Sequence, residues 1–218
     1  MEENIASMVD HTFLKPAGDR DAVRNLCREA ISCGFMSVCV NPSEVTLAAR
    51  LLRGSRVKVC TVIGFPLGAS TLRTKCFEAM DAICCGADEL DLVVNQRLLR
   101  HSPAACRAEL LQWVRTCRMY RSDVVLKLIL ECCNLTRKEI VRGCRFAKET
   151  GFDFVKTSTG FGSGGATVED VRLMRRTVGP KMGVKAAGGI RDRATALAMV
   201  AAGATRLGSS AGKALVLG

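Results

Sequence analysis

Four charged residues interrupt runs that are otherwise aliphatic: Asp91 in ELDLVVN, Lys127 in VVLKLILE, Lys156 in FVKTS and Lys185 in VKAA. Side chains alternate faces along an extended chain, so Leu90, Leu92 and Val94 share one face while Glu89, Asp91, Val93 and Asn95 share the other. The same parity groups Lys127 with Val125, Ile129 and Glu131. An inward charge is costly unless paired or neutralised. A single inward lysine reads equally well as half of a structural ion pair. Three on successive strands, with an aspartate on the strand before, converge on one small volume. Neighbouring ammonium charges and desolvation there are expected to push a lysine pKa down. A neutral lysine attacks carbonyls and is the standard route to a Schiff base. An inward aspartate beside it could relay protons for carbinolamine formation and for the carbon-centred step. Asp10 sits on a weaker first run, with Asn41, Asn95 and Glu131 at strand ends. These residues describe a carbonyl site without distinguishing Lys156 from Lys185 as its nucleophile.

Glycine supplies the second pattern. Gly160-Phe161-Gly162-Ser163-Gly164-Gly165 follows the sixth run, Gly188-Gly189 the seventh and Gly208-Ser209-Ser210 the eighth. Glycine lets backbone N–H groups approach an anion, and the last two stretches each lead into a helix start. Any one pair reads as an ordinary tight turn; the three together favour a phosphate cradle. Two formal matches fail. Gly160, Gly162 and Gly165 fit G-x-G-x-x-G, but in the sixth unit and with Gly183-Val184-Lys185 where a dinucleotide site wants an acid. The run from Gly208 to Lys213 is one residue short of a Walker A loop and lacks its Ser/Thr.

The elements that must position these residues repeat about eight times as a short apolar run followed by a stretch of helical spacing closed by glycine. The runs fall at 8–10, 37–41, 58–65, 89–95, 124–131, 154–158, 184–187 and 206–209. Helices are expected over 19–33, from Pro42 onward, over 70–85, 102–120, 136–150, 167–178 and 192–202, and briefly at the end. Alternating strands and helices on short loops imply parallel pairing. Eight such units suit a closed single-domain (β/α)8 barrel spanning 1–218, with an open doubly wound sheet as the runner-up. Function in such a barrel collects at the C-terminal ends of the strands, with phosphate usually held after strands seven and eight.

The apolar fraction of 48% supplies a large core and excludes a disordered chain. No apolar run is long enough to span a membrane, and Met1-Glu2-Glu3 carries the wrong charge for a secretion signal, so a cytoplasmic protein is expected. The 12 cysteines accordingly read as reduced thiols, most of them small buried hydrophobes; zinc-ligand spacings are missing, and no metal or cofactor is expected. The formal charge of +11 and the arginines between Gln96 and Arg121 raise a nucleic-acid-binding reading. Aromatics at 5% and the lack of a binding motif weigh against it, and those arginines are expected on the solvated face of a barrel helix. The positive field suits phosphorylated small molecules.

The motifs resemble the deoxyribose-phosphate aldolases over nearly the whole chain. KTSTGF at Lys156, continuing GSGGATVEDV, is similar to that family's Schiff-base segment, and VKAAGGIR from Val184 to its second lysine motif. GADELDLVVN resembles its aspartate strand; DHT-x-LKP from Asp10, VIGFPLG from Val62 and the loop Gly208–Ser210 agree as well. The resemblance implies a metal-free class I aldolase interconverting 2-deoxy-D-ribose 5-phosphate with D-glyceraldehyde 3-phosphate and acetaldehyde. It implies Lys156 as the nucleophile, Lys185 as the cation lowering its pKa, and Asp91 as proton donor and acceptor. Lys127 and Asp10 match supporting polar positions, and Cys39 a strand bordering the substrate. Gly160, Gly188, Gly189, Gly208, Ser209 and Ser210 would hold the phosphate. A homodimer is unsurprising for the family. The arginine-rich stretch departs from the usual acidic helix, and with Tyr120 the only tyrosine, none is assigned to the terminal position that assists proton transfer in some members. A different Schiff-base aldolase or phosphosugar lyase would share these residues. His11 and His101 are left without a catalytic role.

Overall fold

The structure, a computed structural model, describes residues 5–19 and 21–217. Eight parallel strands close into a barrel in sequence order: β1 (Val9–Phe13), β2 (Ser37–Val40), β3 (Lys58–Ile63), β4 (Glu89–Val93), β5 (Val125–Ile129), β6 (Phe154–Lys156), β7 (Gly183–Ala187) and β8 (Arg206–Ser209). Around them run α1 (Ala22–Cys33), α2 (Val45–Leu51), α3 (Leu72–Cys84), α4 (Gln96–His101), α5 (Pro103–Tyr120), α6 (Arg137–Thr150), α7 (Val168–Val178), α8 (Arg193–Ala201) and α9 (Gly212–Leu217). The fold is the single-domain barrel that the repeat of strand and helix anticipates. The expectations that fall on Met1, Glu2, Glu3, Arg20 and Gly218 lie outside the described residues. Among the described residues, no helix is long and apolar enough to cross a membrane.

Two expected helices differ. The stretch expected as one helix over 102–120 is preceded by α4, capped by Asn95, whose side chain accepts a hydrogen bond from Leu98 N at 3.1 Å. Ser102 leaves helical geometry (φ −143°, ψ 63°), and Pro103, which has no N–H to donate, starts α5. Pro42 opens a single 3-10 turn, Pro42–Glu44, before α2. By contrast Thr136 and Glu139 form the reciprocal cap at the start of α6 that the sequence pattern T-x-x-E encodes.

The strands have two chemically different faces. Val38, Val40, Leu90, Leu92, Leu126, Leu128, Val155, Val184 and Leu207 point outward and join the main core with the helices. The inward residues carry the polarity, and the register stacks them in layers drawn from alternate strands. Moving two strands along raises the level by two residues, so Asp10, Cys60, Lys127 and Lys185 form a ring from the odd strands. Cys39, Asp91, Lys156 and Gly208 form the ring above, and Ser37, Glu89, Phe154 and Arg206 the ring below.

Candidate active site

The three lysines meet at one carboxylate. Asp91 Oδ2 accepts from Lys156 Nζ and Lys185 Nζ, both at 2.8 Å, and Asp91 Oδ1 accepts from Lys127 Nζ at 2.8 Å. Asp10 lies one level down: its Oδ2 pairs with Lys185, and its Oδ1 accepts from Arg206 Nη1 at 2.6 Å. Glu89 joins the floor, 2.6 Å from Lys127 Nζ and 3.0 Å from Arg206 Nη1. Asp10, Glu89, Asp91, Lys127, Lys156, Lys185 and Arg206 are all buried.

This geometry reverses one expectation. Lysine crowding was to lower the ammonium pKa values, but the cage holds carboxylates in nearly equal number. Burial pulls Lys185 down, and Asp10 and Asp91 outweigh it, holding the ammonium above its ordinary range. Lys127 is likewise held well above it, burial being overcome by Asp91, Cys60, Glu89 and Asp10. Burial raises Asp91, yet Lys127, Lys156 and Lys185 prevail and keep it well below the usual carboxylate range; Asp10 is lowered against its own burial by Lys185, Arg206 and Lys127. Lys127 and Lys185 are therefore cations.

Lys156 occupies the top ring, and it alone of the three lysines lines a cavity of about 350 Å³ at the C-terminal mouth of the barrel. That ring has a gap. At Gly208 a Cβ would come within 2.9 Å of Ala187 Cβ and 3.2 Å of Lys185 Cε, so a bare backbone both admits the cavity and leaves Lys185 its place. Gly160, Gly188, Gly189, Ser209 and Ser210 line the same cavity. Gly165 fixes how the loops after β6 and β7 meet. Its Cβ would lie 2.3 Å from Gly188 O, an approach that lets Ala166 N donate to the same carbonyl at 3.0 Å. The Ser209 hydroxyl is committed locally, donating to Ile190 O at 2.7 Å and accepting from Ala211 N at 3.0 Å. Ser210 is exposed, and Lys15 and Arg191 add two exposed cations to the cavity lining.

Asp91, beside Lys156 in the top ring, and Asp10, Lys127 and Lys185 in the ring below do not line the cavity. Cys39 is fully buried in a small cluster with Leu14, Cys60 and Val62, of which Leu14 alone lines the cavity. His11 faces outward from β1, its Nε2 2.9 Å from Glu29 Oε2. Glu131, at the end of β5, adopts φ 59°, which aims its carboxylate at Thr159: Oε1 accepts from Thr159 N at 3.2 Å and Oε2 from its hydroxyl. Cys39, Cys60 and Asp91 bring potential ligand atoms within 4.8 Å of one another. Asp91 is already bonded to three ammonium groups, a donor set that repels a cation.

Sequence parity placed Asp91 and Lys127 on inner faces, and charge inside otherwise apolar runs grouped Lys156 and Lys185 with them. Parity grouped Glu89 with Asp91, but the pairing of Arg206 with Glu89 and Asp10 was missed because the partners stand on different strands far apart in sequence. Lys15 and Arg191 stand inside quoted motifs, and their charge beside the glycine loops was the unused signal.

A family model described as DeoC/LacD family aldolase matches residues 5–217. A deoxyribose-phosphate aldolase of Thermoanaerobacter sp. (strain X514) is 52% identical over 214 residues, covering 98% of this chain and 96% of that protein. One from Clostridium perfringens (strain SM101 / Type A) is 51% identical over 217 residues, covering 100% of this chain and 96% of that one. Among solved structures, a tetrameric deoxyribose phosphate aldolase from Aeropyrum pernix superimposes with a TM-score of 0.91 at 36% identity, covering 98% of this chain and 89% of that one.

Proposed function

The chain belongs to the DeoC/LacD family of aldolases and is a carbon–carbon lyase, and on that premise we propose that it cleaves 2-deoxy-D-ribose 5-phosphate reversibly to D-glyceraldehyde 3-phosphate and acetaldehyde through a Schiff base on Lys156. The observation that carries the reading is the position of Lys156: its Nζ shares Asp91 Oδ2 with Lys185 at 2.8 Å while the residue lines the cavity that the glycine loops surround.

The chemistry divides among the cage. The neutral Lys156 amine adds to C1 of the open-chain sugar, and loss of water gives the iminium. A base removes the proton of the C3 hydroxyl; the C2–C3 bond breaks, its electron pair moving into the iminium as C3 becomes the aldehyde carbon of glyceraldehyde 3-phosphate. The remaining enamine takes a proton at C2, and water hydrolyses the resulting iminium, releasing acetaldehyde and the amine. Asp91, 2.8 Å from Lys156 Nζ, is the group placed to accept and return protons through the nitrogen and its water. Lys185 is the adjacent fixed cation that makes a second positive charge at Lys156 unfavourable. Lys127 and Asp10 hold Asp91 and Lys185 in place. Lys15, Arg191 and the N–H groups of Gly188, Gly189 and Gly208–Ser210 surround the phosphate end, so binding energy there orients C1 at the amine.

Reduction with borohydride in the presence of acetaldehyde, followed by peptide mapping, tests this. The expected result is a two-carbon adduct on Lys156; an adduct on another lysine, or none, overturns the reading.

A further inference from the structure

The ion-pair network inside the barrel does not balance. Among the described residues it holds Lys127, Lys156, Lys185 and Arg206 against Asp10, Glu89 and Asp91, four cations to three carboxylates. Glu131, buried at the end of β5, is bonded to Thr159 and pairs with none of these cations. The excess has a definite location. Arg206 is bound by two carboxylates, Asp10 and Glu89; Lys127 by Glu89 and Asp91, with Asp10 at 3.8 Å; and Lys185 by Asp10 and Asp91. Lys156 has Asp91 alone, and shares it with both other lysines.

We propose that Arg206, on the floor of the barrel and two rings below the cavity, is a positioning residue for Lys156: by engaging Asp10 and Glu89 it leaves the cage one negative charge short, and the amine at the mouth is the group that gives up its proton to restore balance. This rests on the reading of Lys156 as the nucleophile. Arg206 touches neither the cavity nor Lys156 and acts through Asp10 and Glu89. The titratable and charged groups around Lys156 are Asp91 beside it and Glu89 below it on β4, Lys127 from β5 with Glu131 at the end of that strand, Lys185 from β7, Asp10 from β1, Arg206 two rings below on β8, Cys39 and Cys60 from β2 and β3, and Lys15 and Arg191 at the rim. In so closed a set the charge count acts over the whole network, because each ion's proton affinity depends on the others. Arg206 meets both carboxylates through Nη1 alone, at 2.6 Å from Asp10 and 3.0 Å from Glu89, so it serves as a point charge.

The test is a charge-parity cycle read by the pH dependence of borohydride-trapped imine at Lys156, alongside that of kcat/KM. Arg206→Met equalises the count, so the imine trapped near neutrality should fall about tenfold and its pH profile should move to higher pH. Glu89→Gln widens the excess and should move it the opposite way. The double variant restores the native excess and should return the profile to that of the parent; Arg206→Lys should hold it there throughout. A purely structural role predicts losses that accumulate in the double variant. If Arg206→Met does not fold, Glu89→Gln and Arg206→Lys carry the comparison. Shifts of the same sign in both single variants, or an unmoved profile, overturn the proposal while adduct at Lys156 leaves the aldolase reading intact. Absence of adduct at Lys156 in the parent protein overturns both.

Discussion

Lys156 and Lys185 touch the same carboxylate oxygen, yet their losses should register differently. Lys156→Ala removes the proposed nucleophile at the least enclosed corner of the cage, and Asp91 keeps Lys127 and Lys185. Turnover should fall by about 10³-fold or more with the thermal midpoint nearly unchanged; retained retro-aldol activity in purified variant would contradict the covalent route. Lys185→Leu deletes a cation whose partners are Asp10 and Asp91, both fully buried. The remaining charges then balance, so the ascending limb of the pH–rate profile should move to higher pH by about one unit. An unchanged limb would show that the two amines do not interact. Because Asp10 keeps Arg206 and Asp91 keeps Lys127, the fold should survive at a cost of about 3 kcal/mol, measurable by denaturant unfolding.

At the scale of elements, function depends on where loops touch. The loops after β6 and β7 meet at Gly165 and Gly188, and a methyl group on Gly165 would sit 2.3 Å from a carbonyl oxygen that cannot yield without moving its own loop. Gly165→Ala should therefore raise KM for the phosphorylated sugar about tenfold while leaving imine formation with acetaldehyde, which carries no phosphate, close to native. Equal losses for both would separate the loops from phosphate binding. The same scale explains what the sequence made legible. Period-two alternation in ELDLVVN and VVLKLILE identified the inner faces of β4 and β5, and glycine after successive strands identified the loops. The break between α4 and α5 was hidden because Gln96–His101 is shorter than the window over which helical periodicity stands out, leaving Ser102-Pro103 to read as a helix start alone. The pairing of Arg206 with Asp10 and Glu89 was hidden for another reason. Those residues are 196 and 117 positions apart, and only barrel closure at β1 and β8 joins them. Charge balance in the cage, and with it the state of Lys127 and Lys185, is a property of that closure.

For the molecule as a whole, the formal charge of +11 sits mainly outside while the barrel interior is held by opposed charges, so stability and solubility answer to different groups. Arg97, Arg100, Arg107 and Arg115 are exposed on α4 and α5, two of them paired across to Glu139 and Glu149 on α6. The thiols divide in the same way. Seven of the 12 cysteines are buried, and burial pushes Cys27 up to about 11 and Cys106, Cys117 and Cys144 up to about 12, so native alkylation at neutral pH should mark the exposed Cys84 and Cys133 first. Mass mapping that found Cys144 labelled as fast as Cys84 would mean that the barrel opens readily. The ion cage sets the pH range of stability. Asp10 and Asp91 have folded pKa values depressed below the unfolded carboxylate value, despite burial, by the surrounding cations. Such groups contribute stability above the unfolded pKa of about 3.9 and lose it as pH falls towards the folded value. Lys185 has a folded pKa raised above its unfolded value by Asp10 and Asp91, so its contribution is present below about 10.4 and declines as pH rises beyond it. The thermal midpoint should thus be nearly level from about pH 5 to 9, and fall steeply below about pH 4. A midpoint level down to about pH 2 would mean that the carboxylates are not held as ions by the cage, and a decline already at pH 7 would place control of stability outside the barrel interior.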